Sequence, residues 1–174
     1  MTYEELYDEW INQPYADSCT EKFEIRDGIA IIPEGTTKIG NRAFDDCTSL
    51  ESVTIPESVT EIGRSAFYHC TSLKNVAIPK SVTEIGYCAF GRCTSLESVT
   101  IPDSVKEIGV GTFRWCTALE SVTIPESVTR IGCYAFMGCT SLKNITIPES
   151  VTKIGPNAFH QCTSLESIVM PLKA

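Results

Sequence analysis

Histidine is scarce in this chain: His69 and His160 are the only two among 174 residues. General acid–base work at neutral pH draws on imidazole more than on any other side chain, so its near absence counts against catalysis. No phosphate-cradling glycine loop and no nucleophile motif is present either. Long apolar runs are also missing. Nothing approaches the roughly 18 residues that a membrane-spanning helix needs. Positive charge is short: 14 Lys and Arg face 22 Asp and Glu, for a formal net charge of −8. That balance repels phosphate backbones and anionic lipid, which excludes nucleic acid and membrane surfaces as expected partners. Residues 1–12 carry Glu4, Glu5, Asp8 and Glu9 but no Lys or Arg. An export signal needs a basic start and an apolar centre. This stretch offers neither, so it predicts a cytoplasmic chain unless a signal lies outside it.

What the chain does have is a period. Prolines stand at 33, 56, 79, 102, 125, 148 and 171, always 23 residues apart. A repeat of this length marks a solenoid, in which each coil buries its apolar side only by stacking on its neighbours. Counting each coil from its proline gives fixed columns. Column 7 is Ile39, Ile62, Ile85, Ile108, Ile131 and Ile154, and column 8 is glycine throughout, from Gly40 to Gly155. Column 12 is Phe44, Phe67, Phe90, Phe113, Phe136 and Phe159. Column 15 is cysteine from Cys47 to Cys162, and column 18 is leucine from Leu50 to Leu165. Stacking at about 4.8 Å per coil makes six coils a rod on the order of 30 Å long. His69 and His160 would then stand roughly 19 Å apart, too far to act together.

Local spacing fills in one coil. Leu50, Val53 and Ile55 end in alternation and predict a short strand, stopped by proline. Val-x-x-Ile-Gly predicts a second extended piece closed by a glycine turn. Ala-Phe-x-x-Cys predicts one helical or 3₁₀ turn. Ahead of the first coil, Thr2 and Glu5 fit a capping box, and Leu6, Trp10 and Ile11 fall on one face of a short helix. Asp27-Gly28 between alternating apolar residues predicts a hairpin. The expected organisation is therefore a cap of helix and hairpin over 1–32 and a solenoid over 33–174.

The shared unit, Ile-Pro-Glu-Ser-Val-Thr-x-Ile-Gly-x-x-Ala-Phe-x-x-Cys-Thr-Ser-Leu, resembles the BspA-like, Treponema-type leucine-rich repeats. Six units cover 33–170, about four-fifths of the chain. Thr112 in place of alanine in column 11 is a minor departure. The resemblance implies a right-handed, β-rich coil serving adhesion or protein binding at a cell surface or outside the cell, often as one module of a larger protein.

Candidate sites follow from the columns. Nine cysteines with no Cys-x-x-Cys leave metal ligands, disulfides or core for the column-15 thiols. In-register side chains point the same way, and a buried thiol acting as a small hydrophobe accounts for the whole column. No metal, cofactor or catalytic residue is expected. Column 6 stacks Glu61, Glu84 and Glu107, which repel at strand spacing. A bound cation would relieve this, as would side chains fanned apart in solvent. Columns 20 and 22 make an outward Ser/Thr array. Such an array can suggest an ice or crystal lattice, but β-propensity and side-chain ladders on a solvated sheet explain it, and a concave sheet suits a flat lattice poorly. Columns 9, 10, 13 and 14 differ between coils and look free of fold constraints. They hold Tyr68, Tyr87, Arg92, Arg114, Trp115, Tyr134 and Met137, residue types enriched at interface centres. These seven are the candidate binding residues for a protein partner. A spacer or self-assembling element is the alternative. For that, Val169 and Met170 on an apolar last strand predict a homodimer through residues 150–174.

Overall fold

The structure, a computed structural model, describes residues 23–170. The expected helix around Leu6 and Trp10 lies outside the described residues. Within them the chain forms short strands and turns, with no helix.

The chain enters through a hairpin of β1 (Ile25–Arg26) and β2 (Ile29–Ile31), paired antiparallel with Ile25 opposite Ala30. Asp27 and Gly28 have φ of 49° and 76°, the left-handed pair that a tight two-residue hairpin turn requires. Strands of two kinds then alternate. Two-residue strands cover columns 6 and 7: β3 (Lys38–Ile39), β5 (Glu61–Ile62), β7 (Glu84–Ile85), β9 (Glu107–Ile108), β11 (Arg130–Ile131) and β13 (Lys153–Ile154). Three-residue strands cover columns 20 to 22: β4 (Ser52–Thr54), β6 (Asn75–Ala77), β8 (Ser98–Thr100), β10 (Ser121–Thr123), β12 (Asn144–Thr146) and β14 (Ser167–Val169). Each kind stacks in parallel on its own kind one period away, as in Val76 opposite Val99 and Ile62 opposite Ile85, with the pairing interrupted between β4 and β6, between β10 and β12 and between β7 and β9. Strand β2 joins β4 in the same register, so the hairpin extends the three-residue ladder by one rung.

The third side of each coil, columns 9 to 15, corrects the expected helical or 3₁₀ turn. Alternate amides point in different directions. Ala43, Asp45 and Cys47 donate three residues back within their coil, at 3.1–3.3 Å. Arg42, Phe44 and Asp46 donate instead to Arg64, Ala66 and Tyr68 of the next coil, at 2.7–2.9 Å. A helix would keep all these bonds inside the segment. Here half of them tie coil to coil, and that requires reversals at columns 10 and 14. Every described residue in those columns, from Arg42 and Asp46 to Asn157 and Gln161, has positive φ.

Column-8 glycine has a different reason from the turn conformation expected. None of these glycines has positive φ. What they permit is close approach. A Cβ at Gly63 would lie 2.7 Å from Asn41 N, and one at Gly86 would lie 2.5 Å from Arg64 N. The preceding coil's backbone occupies the space a side chain would need.

Inside the rod the columns become ladders. Seven phenylalanines stack in one file from Phe23 to Phe159, with ring centroids 5.0–5.7 Å apart. Burying each ring contributes about 1.5–3 kcal/mol, and offset stacking adds roughly 0.5–1.5. Phe23 adds a rung ahead of the first repeat, which the period alone does not reveal. Thr112 is accommodated because its buried Oγ1 donates to Gly109 O at 3.1 Å.

Candidate functional site

The column-15 thiols are core with one added duty. Each Sγ from Cys70 to Cys162 donates to a phenylalanine carbonyl of the preceding coil, such as Cys93 to Phe67 O and Cys116 to Phe90 O, both at 3.1 Å. Burial pushes the Cys93 thiol up to about 12 and also raises Cys70, Cys116, Cys139 and Cys162. Thiols held in the protonated form are poor nucleophiles and poor ligands. Among the described residues no disulfide joins any two of the eight cysteines.

Column 6 is partly neutralised from its ends. Lys38 Nζ lies 2.7 Å from Glu61, and Arg130 Nε lies 3.5 Å from Glu107. Glu84 stands between two glutamates that already have partners. Among the described residues no group of three acidic, histidine or cysteine side chains is placed to hold a metal ion. A groove of about 380 Å³ runs along this column between Tyr87 and Lys106.

The variable columns organise around glycines. The ring of Tyr68 lies against Gly91, where a Cβ would be 2.9 Å from Tyr68 Cδ2. Tyr87 lies against Gly109, with 2.7 Å to Cδ1. Trp115 lies across Gly138, with 2.7 Å to Cδ2. Each ring rests on the coil that follows it, on backbone without a side chain. Tyr87 remains exposed on its other side, while Tyr68 and Trp115 are half-buried. The sequence holds a signal for this seating, since an aromatic precedes a glycine by 23 residues at Tyr68 and Trp115 and by 22 at Tyr87.

The structure divides the seven candidate residues. Tyr87 and Arg92 are exposed, while Tyr68, Arg114 and Trp115 are half-buried. Tyr134 and Met137 are buried, at 5% and 6% exposure, in a small cluster with Cys133 that Val110 and Trp115 also cover. The Arg114 guanidinium lies 5.9 Å above the Tyr134 ring. Thus Tyr134 and Met137 support Arg114 and Trp115 from below. Nor are all four columns free of the fold, because columns 10 and 14 must adopt positive φ.

Charge on this face is local. In the first coil Arg42 pairs with Asp45 at 3.7 Å, and His69 Nδ1 contacts Asp46 Oδ1. Burial raises the Asp45 carboxyl, with Arg42 acting against it. Burial likewise raises the Tyr68 hydroxyl, opposed by Arg92 and Arg114.

The two ends of the three-residue ladder are apolar on the outside. Ile29 and Ile31 are exposed at the first rung, and Ile168, Val169 and Met170 at the last described one. On the last rung Ser167 donates to Asn144 Oδ1 of the rung before at 2.7 Å, so the polar array bonds partly to itself.

Two ladders in register, the phenylalanine file and the column of thiols fit one family. Residues 28–116 and 106–174 match the description BspA type leucine-rich repeat region, in 6 copies. This chain belongs to the BspA-type leucine-rich repeat family. Several solved structures are similar. One is a leucine-rich repeat protein from Bacteroides ovatus, 45% identical over 69% of this chain and 33% of that one, with a TM-score of 0.67. Another is a leucine-rich cell surface protein from Faecalibacterium prausnitzii, 38% identical over 82% and 47%, with a TM-score of 0.64. A third is the leucine-rich repeat protein of T. pallidum, 30% identical over 80% and 57%, with a TM-score of 0.53. This BspA-type chain thus covers between a third and just over half the length of these three. No curated protein matches it.

Proposed function

We propose that this repeat rod is a non-enzymatic binding module that presents Tyr68, Tyr87, Arg92, Arg114 and Trp115 to a protein partner. The observation that carries the reading is the seating of three aromatic rings on glycines of the following coil. Fixing a side chain in advance lowers the entropy lost on association, and Tyr, Trp and Arg supply most of the energy at interface centres. The F. prausnitzii neighbour is described as a cell surface protein, which favours an outward-facing, adhesive role for this chain as well. The test is photo-crosslinking with a photoreactive phenylalanine analogue at Tyr87 or, for comparison, at Thr100 on the ladder face. Capture from Tyr87 alone supports this belt of aromatic and arginine side chains, and capture from Thr100 alone contradicts it.

A second reading, self-association through the last coil, has its own support. Val169 and Met170 are 52% and 58% exposed, beside an Ile168 whose column is otherwise buried. An exposed apolar strand edge of this kind pairs readily with another strand.

A further inference from the structure

Charge is distributed unevenly around the rod. On columns 9 to 14, coils two to six hold Arg64, Arg92 and Arg114 and not one carboxylate, within a chain of net charge −8. The acids of that face, Asp45 and Asp46, sit in the first coil beside Arg42 and His69. The column after each proline is the reverse, with Glu34, Glu57, Asp103, Glu126 and Glu149 against a single Lys80. An acidic rod therefore has one side where the strong cations are all arginine.

Three groups of that side come together. Arg92 N donates to Arg114 O at 2.7 Å, so the two arginines stand on adjacent rungs. The Tyr68 ring is seated on Gly91, the residue before Arg92. Burial raises the Tyr68 hydroxyl, and the positive charge of Arg92 and Arg114 acts against that rise. Arg114 is placed by the Tyr134 ring beneath it. Arg92 is exposed, and among the described residues no carboxylate pairs with it.

We propose that Tyr68, Arg92 and Arg114 read an acidic segment of the protein partner, with Trp115 taking an apolar residue of the same segment. This rests on the binding role proposed above for the same face. Guanidinium forks hold carboxylates bidentately, which an ammonium cannot do. The Tyr68 hydroxyl, protonated at neutral pH, adds a donor beside them. Elsewhere the rod is acidic and repels the same segment, so the two signs together fix where it lies.

The test uses fluorescence anisotropy with the whole chain. The probes are a labelled peptide of alternating glutamate and leucine, its glutamine counterpart, and a sulfated oligosaccharide. The glutamate peptide should bind at low salt. Arg92→Glu should weaken it by at least about tenfold, whereas Lys80→Glu, an equal change of charge on another face, should not. Arg92→Gly is the second variant, because glycine suits the φ of 59° at that position and removes only the fork. The proposal is overturned if the glutamate peptide fails to bind, if both Arg92 variants bind it like the parent, or if the oligosaccharide displaces it at lower concentration. Equal binding of both peptides with loss in Trp115→Ala would remove the acidic preference and leave the belt standing. Binding indifferent to Arg92 and Trp115 alike would remove both.

Discussion

The six-membered ring of Trp115 lies across Gly138, 23 residues further on, where a Cβ would come 2.7 Å from Trp115 Cδ2. Backbone and ring share one space, so no side chain fits at Gly138 while the ring stays in place. Gly138→Ala should displace the ring and also strain a φ of 75°. Gly35→Ala isolates the second effect, because Gly35 has φ of 87° with nothing near its missing side chain. Strain alone should cost about 1–2 kcal/mol. Gly138→Ala should cost more and shift Trp115 emission to the red, measured by urea unfolding in a Trp10→Phe background. Equal costs at the two glycines would refute the seating.

The thiol ladder makes an alkaline prediction. Unfolded thiols titrate near 9, whereas Cys93 is held up to about 12 by burial. The folded state therefore keeps its proton where the unfolded state has lost it. Stability is fully present below about 9 and falls as pH rises toward 12, by about 1.4 kcal/mol per unit for each such thiol. Urea midpoints at pH 7, 9 and 10.5 measure this. Cys93→Ala should lower the midpoint at pH 7 and flatten its fall above 9. A midpoint independent of pH in that range would show the thiols to be accessible. In denaturant without reductant, the six ladder thiols should react, and a total of three or fewer from the nine cysteines would contradict a reduced ladder.

The phenylalanine file should behave as one unit. Phe90→Ala, in the middle of the stack, should cost about 3–5 kcal/mol because rings on both sides hold the cavity open. Phe159→Ala, at the half-buried end, should cost clearly less. Chemical denaturation of both variants checks the order, and a reversed order would mean the coils do not stack as described.

Much of this was legible in the sequence, because a solenoid repeats its core by column. The 23-residue period, the Ile, Phe, Cys and Leu ladders and the Asp27-Gly28 hairpin all follow from spacing. What spacing does not show is which atom of the neighbouring coil a residue meets. Gly63 reads as a turn glycine until the Asn41 amide is found beside it. Cys93 reads as a small hydrophobe until its thiol reaches Phe67 O. Tyr134 and Met137 read as surface because their columns vary, yet they lie under Arg114 and Trp115. In each case the decisive partner is about 23 residues away.

The exposed last rung predicts association. Light scattering at micromolar concentration should show a dimer or larger species, and Val169→Lys with Met170→Lys should shift it toward monomer. A chain that is monomeric throughout would remove the self-assembly reading and leave the belt untouched.

The proposed recognition surface is the belt, and not the Ser/Thr ladder. Parallel capture on three immobilised rods tests it most directly: the parent, Tyr87→Ala with Trp115→Ala, and Thr100→Lys with Thr123→Lys. A protein retained by the parent and by the lysine variant, and bound at least about tenfold more weakly by an alanine variant that still unfolds cooperatively, is the predicted result. Loss in the lysine variant with full retention by the alanine variant would contradict it.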